Sequence, residues 1–517
     1  MEKSEKSSKY VGVILGITFF LILVFSIITY QCGEKRLTSD EASELVLAEL
    51  LHEEHAVLSQ NWYYSTELRV LNTQLVTAPL FGIFSDWTMI RAVRDMILMV
   101  IMVLSYYFFC CNVVFGKKAL LLMPLLVWPF SNIYTMIMLF GGYYIPHVVI
   151  SFLTIGLFVG ILKRKQPRVR TVLFLLLAFS AGMGGFRQVF IIYVPLFVTV
   201  VFLSYTKYLF SRKMINQGTV LATLGVIAAG GGIGFSNCLR NRYYWSDFAG
   251  LSTVNFSIER IEQIVNGILE TVGFENKEIF TSRGMVSLFA VASIGAIVYL
   301  LIQLVRSSVK EEKEEQYYGV FLIWTIVMHL LLFLFTDAPY EARYWLPLLV
   351  YFFPVLGIYL KREIALKDKY SKLLAILVVV CMIWSGGNVY YRWITGMNGS
   401  YSQRKAVAQF LTEEKYSYGY AEFWSANVFT ELTDGAVRFS SIQDWNTLEP
   451  KLWLIRAQDV DRYVEDKVFV LINKEKDIDL PECKYLNENY KVFENDLYII
   501  YSYENTRQLK SLLPDVE

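Results

Sequence analysis

The sequence predicts a polytopic α-helical membrane protein with a long segment after its first span and a small α/β domain at its C-terminal end. Composition is the first reason. Of the 517 residues, 55% are hydrophobic and only 18% are charged, whereas soluble globular chains average about 25% charged residues. The second reason is that apolar runs long enough to cross about 30 Å of hydrocarbon recur as far as residue 391. The residues that follow have the composition of a soluble domain.

Eleven apolar runs have the length of a membrane span. They cover residues 10–30, 95–115, 119–138, 143–162, 171–186, 188–206, 218–237, 284–305, 318–336, 345–360 and 372–391. No small-residue cleavage site follows the first run, so we interpret it as a retained anchor rather than a signal peptide. The sequence therefore predicts about eleven transmembrane helices.

The distribution of Lys and Arg predicts the orientation. If the N-terminus is cytoplasmic, the inner connections contain Lys117, Lys118, "KRKQPRVR" at 163–170 and "KREIALKDKYSK" at 361–372, whereas the outer connection 139–147 has no Lys or Arg. Short cytoplasmic connections carry an excess of Lys and Arg in membrane proteins. We therefore expect a multi-pass protein of the cell membrane with a cytoplasmic N-terminus and an extracytoplasmic C-terminal domain.

This orientation exposes three sizeable segments on the outer side, residues 31–94, 238–283 and 393–517. The first is too long for a simple connector, because loops beyond about 12–15 residues usually have a function or a structure of their own. Its run "TQLVTAPLFGIF" (73–84) is apolar but too short to span. We therefore predict a first extracytoplasmic loop with interfacial helices.

The chain divides into a transmembrane domain, 1–392, and an extracytoplasmic α/β domain, 393–517. In the second domain, "AVAQFLTEEK" has the pattern of a helix. "KVFVLIN" (467–473) and "DLYIIYSY" (496–503) are rich in β-branched and aromatic residues and are bounded by charged residues or Asn. Such runs predict strands.

An acid pair, Asp40 and Glu41, follows the first span closely. Thr38 and Glu41 have the spacing of a capping box, and acids favour the first turn of a helix, so the pair could simply mark a helix start. The other interpretation makes Asp40 a catalytic base held at the membrane surface. The sequence allows both.

Two arginines lie at the outer ends of later spans. Arg187 follows glycines in "GMGGFRQ", which permit close backbone approach. Arg343 lies in "DAPYEARYWLP", beside Glu341 and Tyr344. Guanidinium groups match phosphate oxygens, and ionisable residues at this depth are functional candidates by default. These residues predict a phosphate site that includes Arg187, Arg343 and Tyr344. In the structural alternative, Arg343 pairs with Asp337 or Glu341.

Arg69, His147 and Glu341 are further candidates for substrate contacts. A single histidine at the entrance of a span, such as His147, is often a structural residue, so this alternative stays open. The six cysteines show no CxxC spacing, so the sequence predicts no zinc site. It supports neither a cofactor nor a divalent cation. A net charge of +1 argues against a nucleic-acid partner.

These residues suggest a reaction. Nucleotide sugars and ATP are not at hand outside the cytoplasm, so a transferase there needs a donor that arrives already activated in the membrane. A polyprenyl-phosphate sugar meets this need, because its phosphate lies at the depth of the arginines. A carboxylate can then deprotonate an acceptor hydroxyl while arginine stabilises the leaving phosphate.

The chain resembles the GT-C glycosyltransferases that use lipid-linked sugars, in particular the branch of protein O-mannosyltransferases and lipid A aminoarabinose transferases. The resemblance rests on the early Asp40–Glu41 pair, the interfacial helices, the basic residues at later outer ends and the outward soluble domain. It implies a GT-C-like fold, a polyprenyl-phosphate sugar donor and a glycan, lipid or protein acceptor of the cell envelope. It also implies that Asp40 is the base and that Glu41 is the neighbouring acid.

Two other functions fit a chain of this composition. A transporter or flippase for lipid-linked glycans would have paired ionisable residues inside its spans and broken helices in matching halves. A surface scaffold would use the C-terminal domain to bind a partner. The scaffold would leave the arginines and the long first loop unexplained, so the transferase is the function that the sequence favours.

Overall fold

The computed structural model of the chain is mostly helical. It describes residues 2–65, 68, 70–113, 115, 119–163, 167–206, 212–245, 254, 257–278, 280–307, 313–337, 340–361, 369–477, 480 and 483–513. The helices are α1 Glu2–Cys32, α2 Ser39–Glu53, α3 Gln74–Leu80, α4 Trp87–Asn112, α5 Asn132–Tyr134, α6 Ile145–Leu162, α7 Pro167–Met183, α8 Phe186–Gln188, α9 Val194–Thr206, α10 Arg212–Leu239, α11 Ile258–Thr271, α12 Ser282–Ser307, α13 Lys313–Phe335, α14 Leu346–Lys361, α15 Lys369–Thr395, α16 Asn398–Glu413, α17 Phe423–Leu432 and α18 Thr506–Ser511.

Nine helices within the described residues are long and apolar enough to cross a membrane. They are Tyr10–Arg36, Trp87–Asn112, Ile145–Leu162, Phe186–Ser204, Gln217–Arg242, Gly284–Arg306, Tyr317–Phe335, Ala342–Leu360 and Lys369–Thr395. Each coincides with a predicted run, which confirms the polytopic helical fold.

The other two predicted runs are built differently. The run 119–138 is a bent pair, in which Leu120–Val127 and Asn132–Phe140 meet at 83°. The run 171–186 corresponds to α7, whose 17 residues are at the short end of the range for a transmembrane helix. Within the described residues, fewer than eleven of the runs are therefore continuous spans, although each run contains a helix.

The first loop ends earlier than residue 94, because α4 begins at Trp87. Arg94 and Asp95 consequently lie inside α4, where both side chains are fully buried. The Nε of Arg94 donates to Asp95 Oδ1 at 2.9 Å, and its Nη2 donates to the carbonyl of Phe140. Since Phe140 ends the bent pair, this buried ion pair attaches the bent pair to α4.

The C-terminal residues form a mixed sheet between helices. The strands of the protein are β1 Trp62–Tyr64, β2 Tyr244–Trp245, β3 Tyr418–Glu422, β4 Arg438–Asp444, β5 Glu449–Pro450, β6 Ile455–Arg456, β7 Val468–Asn473, β8 Lys491–Glu494 and β9 Tyr498–Tyr503. Six of them are ordered β5-β4-β3-β7-β9-β8, with β3 parallel to β4 and β7 and with β9 antiparallel to β7 and β8. One sheet face packs on α16 and α17. The two predicted strands are therefore confirmed as β7 and β9.

A second, three-stranded sheet joins distant parts of the chain. Its order is β2-β1-β6, so it combines the first loop, the segment after α10 and the C-terminal domain. Tyr63 of β1 lies opposite both Tyr244 and Ile455. The three segments that the sequence placed on one side of the membrane therefore meet on one face of the helical body.

Candidate active site

A cavity of about 470 Å³ lies between the membrane helices and the C-terminal domain. Its wall takes residues from α2, from the turn before α6, from α8, from the turn before α14 and from the C-terminal domain. Seven of the eight predicted site residues are described by the structure, and five of these line the cavity, namely Asp40, Arg187, Glu341, Arg343 and Tyr344. We call it the acid–arginine cavity.

The predicted base and one predicted phosphate ligand form an ion pair in this cavity. The Nη1 of Arg343 donates to Asp40 Oδ2 at 3.3 Å. Their side chains keep 29% and 30% of their exposure, so a ligand in the cavity can reach both. The structural alternative named Asp337 or Glu341 as the partner of Arg343, but the partner in the structure is Asp40.

The start of α2 positions the acid pair. Thr38 is the N-cap residue, with an extended backbone of φ −118° and ψ 169°. Its hydroxyl donates to the carboxylate of Glu41 rather than accepting from a backbone N–H of the first turn. The capping-box interpretation is therefore correct about where the helix begins and wrong about the hydrogen bond that Thr38 makes.

Glu41 is buried beside Asp40, and burial raises the pKa of Glu41 from 4.5 to about 6, although the Thr38 hydrogen bond opposes the shift. The folded state thus holds this proton more tightly than the unfolded state does. The resulting stability is complete below pH 4.5 and is lost as the pH rises to about 6.

We expect Glu41→Gln to remove this loss, because Gln stays neutral at every pH. Relative to the variant, the wild type should lose about 2 kcal/mol of stability as the pH rises through this window. Thermal unfolding of both purified proteins between pH 4 and pH 7 (about the Glu titration range) measures the difference. A constant difference across this range would contradict the assignment of a raised pKa to Glu41.

Arg187 enters the cavity from a sharp helix start. Gly185 has φ 90°, a conformation that glycine adopts without steric cost, and α8 begins at the next residue. The Nη1 of Arg187 donates to the hydroxyl of Tyr144 at 2.9 Å. Its guanidinium carbon lies 4.5 Å from the ring centre of Tyr344, a cation–π contact. Two tyrosines thus hold the second arginine at the cavity wall.

Two other predicted site residues, His147 and Glu41, lie outside the acid–arginine cavity. His147 is buried in α6, where its Nδ1 is hydrogen-bonded to the side-chain amide of Gln188. The centre of its ring lies 5.1 Å from the centre of the Tyr144 ring. Arg69 lies outside the described residues.

Glu44 lines the cavity but was not predicted. Its carboxylate accepts a hydrogen bond from Gln74 Nε2 at 2.8 Å and another from the hydroxyl of Thr73. Glu44 follows Asp40 by one helical turn, so the two acids share a helix face. The four-residue spacing from Asp40 is the sequence pattern that could have predicted Glu44 as a site residue.

The C-terminal domain also contributes to the cavity wall, through Trp453 and Leu454. The backbone N–H of Leu454 donates to the carbonyl of Tyr63 at 2.8 Å, and its own carbonyl accepts from Asn427 Nδ2 at 3.1 Å. Leu454 has φ 50°, which is uncommon for a non-glycine residue. No sequence pattern predicted this contact.

In the described part of the chain, the cationic side chains that line this cavity are Arg187 and Arg343. Among the described residues, no three His, Cys, Asp or Glu side chains come together in the manner of metal ligands. An anion such as phosphate suits the two guanidinium groups. The Asp40 carboxylate, which is hydrogen-bonded to Arg343, can accept a proton.

The membrane helices, the acid-bearing α2 and the docked C-terminal sheet define a membrane protein of the GT-C fold. The solved structure of apo ArnT from Cupriavidus metallidurans, an aminoarabinose transferase, has this fold. It matches 99% of this chain and 100% of its own chain with a TM-score of 0.56 and 8% sequence identity. No family model matches the sequence, and no curated protein matches it significantly.

Proposed function

We propose that this chain is a membrane glycosyltransferase that transfers a sugar from a polyprenyl-phosphate donor to a glycan, lipid or protein acceptor on the extracytoplasmic side. The observation that carries the proposal is the Asp40–Arg343 pair, 3.3 Å apart, in a cavity that Arg187 also lines. The GT-C fold shared with ArnT supports it.

The donor phosphate is expected to bind to Arg187 and Arg343. Both guanidinium groups face the acid–arginine cavity, and guanidinium–phosphate pairs are among the stronger charge-assisted hydrogen bonds. A phosphate bound at Arg343 competes with Asp40 for the N–H groups of the Arg343 guanidinium. Donor binding thus releases the Asp40 carboxylate from its ion pair and leaves it free to act as a base.

The transfer step then follows from these groups. The acceptor hydroxyl oxygen bonds to the anomeric carbon of the sugar while the bond from that carbon to the phosphate oxygen breaks. The hydroxyl proton passes to Asp40, and the electron pair leaves with the phosphate as polyprenyl phosphate. The two arginines stabilise the negative charge that develops on the leaving oxygen.

Transport of a lipid-linked glycan is less well supported. A transporter would use paired ionisable residues within its spans. The buried pair in α4, Arg94 and Asp95, joins neighbours on one helix and holds the Phe140 carbonyl, which is a packing role.

The test is a transfer assay with the purified protein in nanodiscs. A panel of polyprenyl-phosphate sugars serves as donors, with envelope extract as the source of acceptors. We expect one donor to be consumed, polyprenyl phosphate to be released and the sugar to appear in the extract. A folded protein that consumes none of the donors would contradict the proposal.

We expect the acid–arginine cavity to face away from the cytoplasm, as the Lys and Arg asymmetry predicts. In a cysteine-free background, Ser402→Cys on α16 should react with an impermeant maleimide in intact cells. Lys369→Cys, at the start of α15 and also exposed, should react only after lysis. Labelling of position 369 but not of position 402 would reverse the orientation.

A further inference from the structure

The residues just before Asp40 are held by the C-terminal domain. The carbonyl of Leu37 accepts a hydrogen bond from Nη1 of Arg404 at 3.0 Å. The hydroxyl of Ser39 donates to the carbonyl of Phe423 at 2.5 Å, in a buried contact. Arg404 belongs to α16 and Phe423 begins α17. Both contacts therefore join the C-terminal domain to the turn that starts α2.

The residue just after Asp40 is held through Arg91 of α4. The Nη2 of Arg91 donates to the carbonyl of Glu41 at 2.9 Å, and its Nε donates to the carboxylate of Glu431 in α17 at 2.7 Å. The Arg91 and Glu431 side chains are 2% and 5% exposed. A buried charge requires its partner, so Glu431 fixes the arginine that holds Glu41.

The Asp40 side chain points to a different part of the molecule. Its partner, Arg343, belongs to the turn before α14 in the membrane body. The backbone before Asp40 is thus attached directly to the C-terminal domain, and the backbone after it is attached to Arg91, which pairs with Glu431 of that domain. The Asp40 carboxylate, in contrast, meets an arginine of the membrane helices. The distance between Asp40 and Arg343 depends on how the domain is docked.

We propose that the C-terminal domain is the positioning element for Asp40, acting through Arg404, Phe423 and the Glu431–Arg91 pair. None of these four residues lines the acid–arginine cavity, so they are positioning residues rather than catalytic ones. The effect on catalysis rests on the proposed function. The effect on the position of Asp40 does not, and it can be measured without activity.

The experiment measures the proximity of residues 40 and 343 by cross-linking. The six native cysteines are replaced, Asp40→Cys and Arg343→Cys are introduced, and a short bismaleimide is added to the protein in nanodiscs. Because these changes remove the ion pair, the yield of the cross-linked product reports how the remaining contacts of α2, including those with the docked domain, hold the two positions together. We expect efficient cross-linking in this parent protein and loss of most of the product when Arg404→Gln and Ser39→Ala are added.

Glu431→Gln tests the third link in the same way, and Arg438→Gln is the matched control. Arg438 also belongs to the C-terminal domain and also binds α2, but it contacts Glu49 at 2.7 Å, more than two turns beyond Asp40. We expect Arg438→Gln to leave the yield unchanged. Equal yields in all variants, or an equal loss in the control, would overturn the proposal.

The kinetic counterpart uses the native Asp40 and Arg343. A misplacement of about 1 Å can reduce turnover up to about 10²-fold. For Arg404→Gln combined with Ser39→Ala we expect such a fall in kcat with an unchanged KM for the donor, because the donor ligands stay in place. Arg438→Gln should retain the kcat of the wild type. If no variant, including the wild type, transfers sugar, the proposed function fails while the cross-linking result still decides the positioning role.

Discussion

Replacement of Asp40 by Asn is expected to reduce transfer about 10²–10⁴-fold, the range for removal of a general base. Asn keeps the size of the side chain and removes its ability to take a proton. It also removes the ion pair with Arg343, whose side chain is 29% exposed and can be solvated from the cavity. Expression and donor binding should therefore be retained.

Thr38→Ala is the matched control for this change, because Thr38 starts the same helix without facing the cavity. A side-chain contact at a helix start is worth only about 0.5–2 kcal/mol, so this variant should stay substantially active. Transfer from polyprenyl-phosphate sugar in nanodiscs measures both variants. If Asp40→Asn keeps more than about a tenth of the wild-type turnover, well above the residual expected after loss of a base, Asp40 only starts the helix.

Replacement of Arg343 by Gln is expected to weaken donor binding and to reduce transfer about 10²–10³-fold, as removal of one oxyanion donor does. Lys should restore only part of the activity, since it lacks the planar fork that meets two phosphate oxygens. Donor binding is measured by titration of the lipid-linked sugar, and transfer by the nanodisc assay.

Arg392→Gln is the matched control for Arg343. Arg392 also forms an ion pair, with Glu275, and its side chain is 25% exposed, but it lies outside the acid–arginine cavity. This variant should bind and transfer normally. Normal donor binding by Arg343→Gln, together with poor expression, would make the Asp40–Arg343 pair a structural contact.

Much of the fold could be predicted because the bilayer fixes the length of a spanning helix. Each apolar run and each of the two C-terminal strands has a local sequence pattern, so it can be recognised from its own residues alone. The bent pair could not be predicted in this way, because its 83° break depends on packing against other helices. The early start of α4 was missed because Arg91 and Arg94 precede the apolar run 95–115, and their charges are buried only in pairs with Glu431 and Asp95.

The sequence could supply several residues of the candidate site but not the contacts between them. Asp40 and Arg343 were proposed separately, but their pairing joins positions 303 residues apart, and no periodic pattern encodes such a contact. Likewise, the Arg91–Glu431 pair that docks the C-terminal domain spans 340 residues. Glu44 could have been proposed from its helical spacing to Asp40.

The most direct test of the central claim, that Asp40 and the arginines transfer a sugar from a polyprenyl-phosphate donor, is mass spectrometry of a deletion strain. Cell-envelope glycans and polyprenyl-phosphate sugars are measured together. The account predicts that one sugar substituent disappears, that one polyprenyl-phosphate sugar accumulates, and that the wild-type chain but not Asp40→Asn reverses both changes. Unchanged glycans and unchanged lipid-linked sugars in the deletion strain would contradict it.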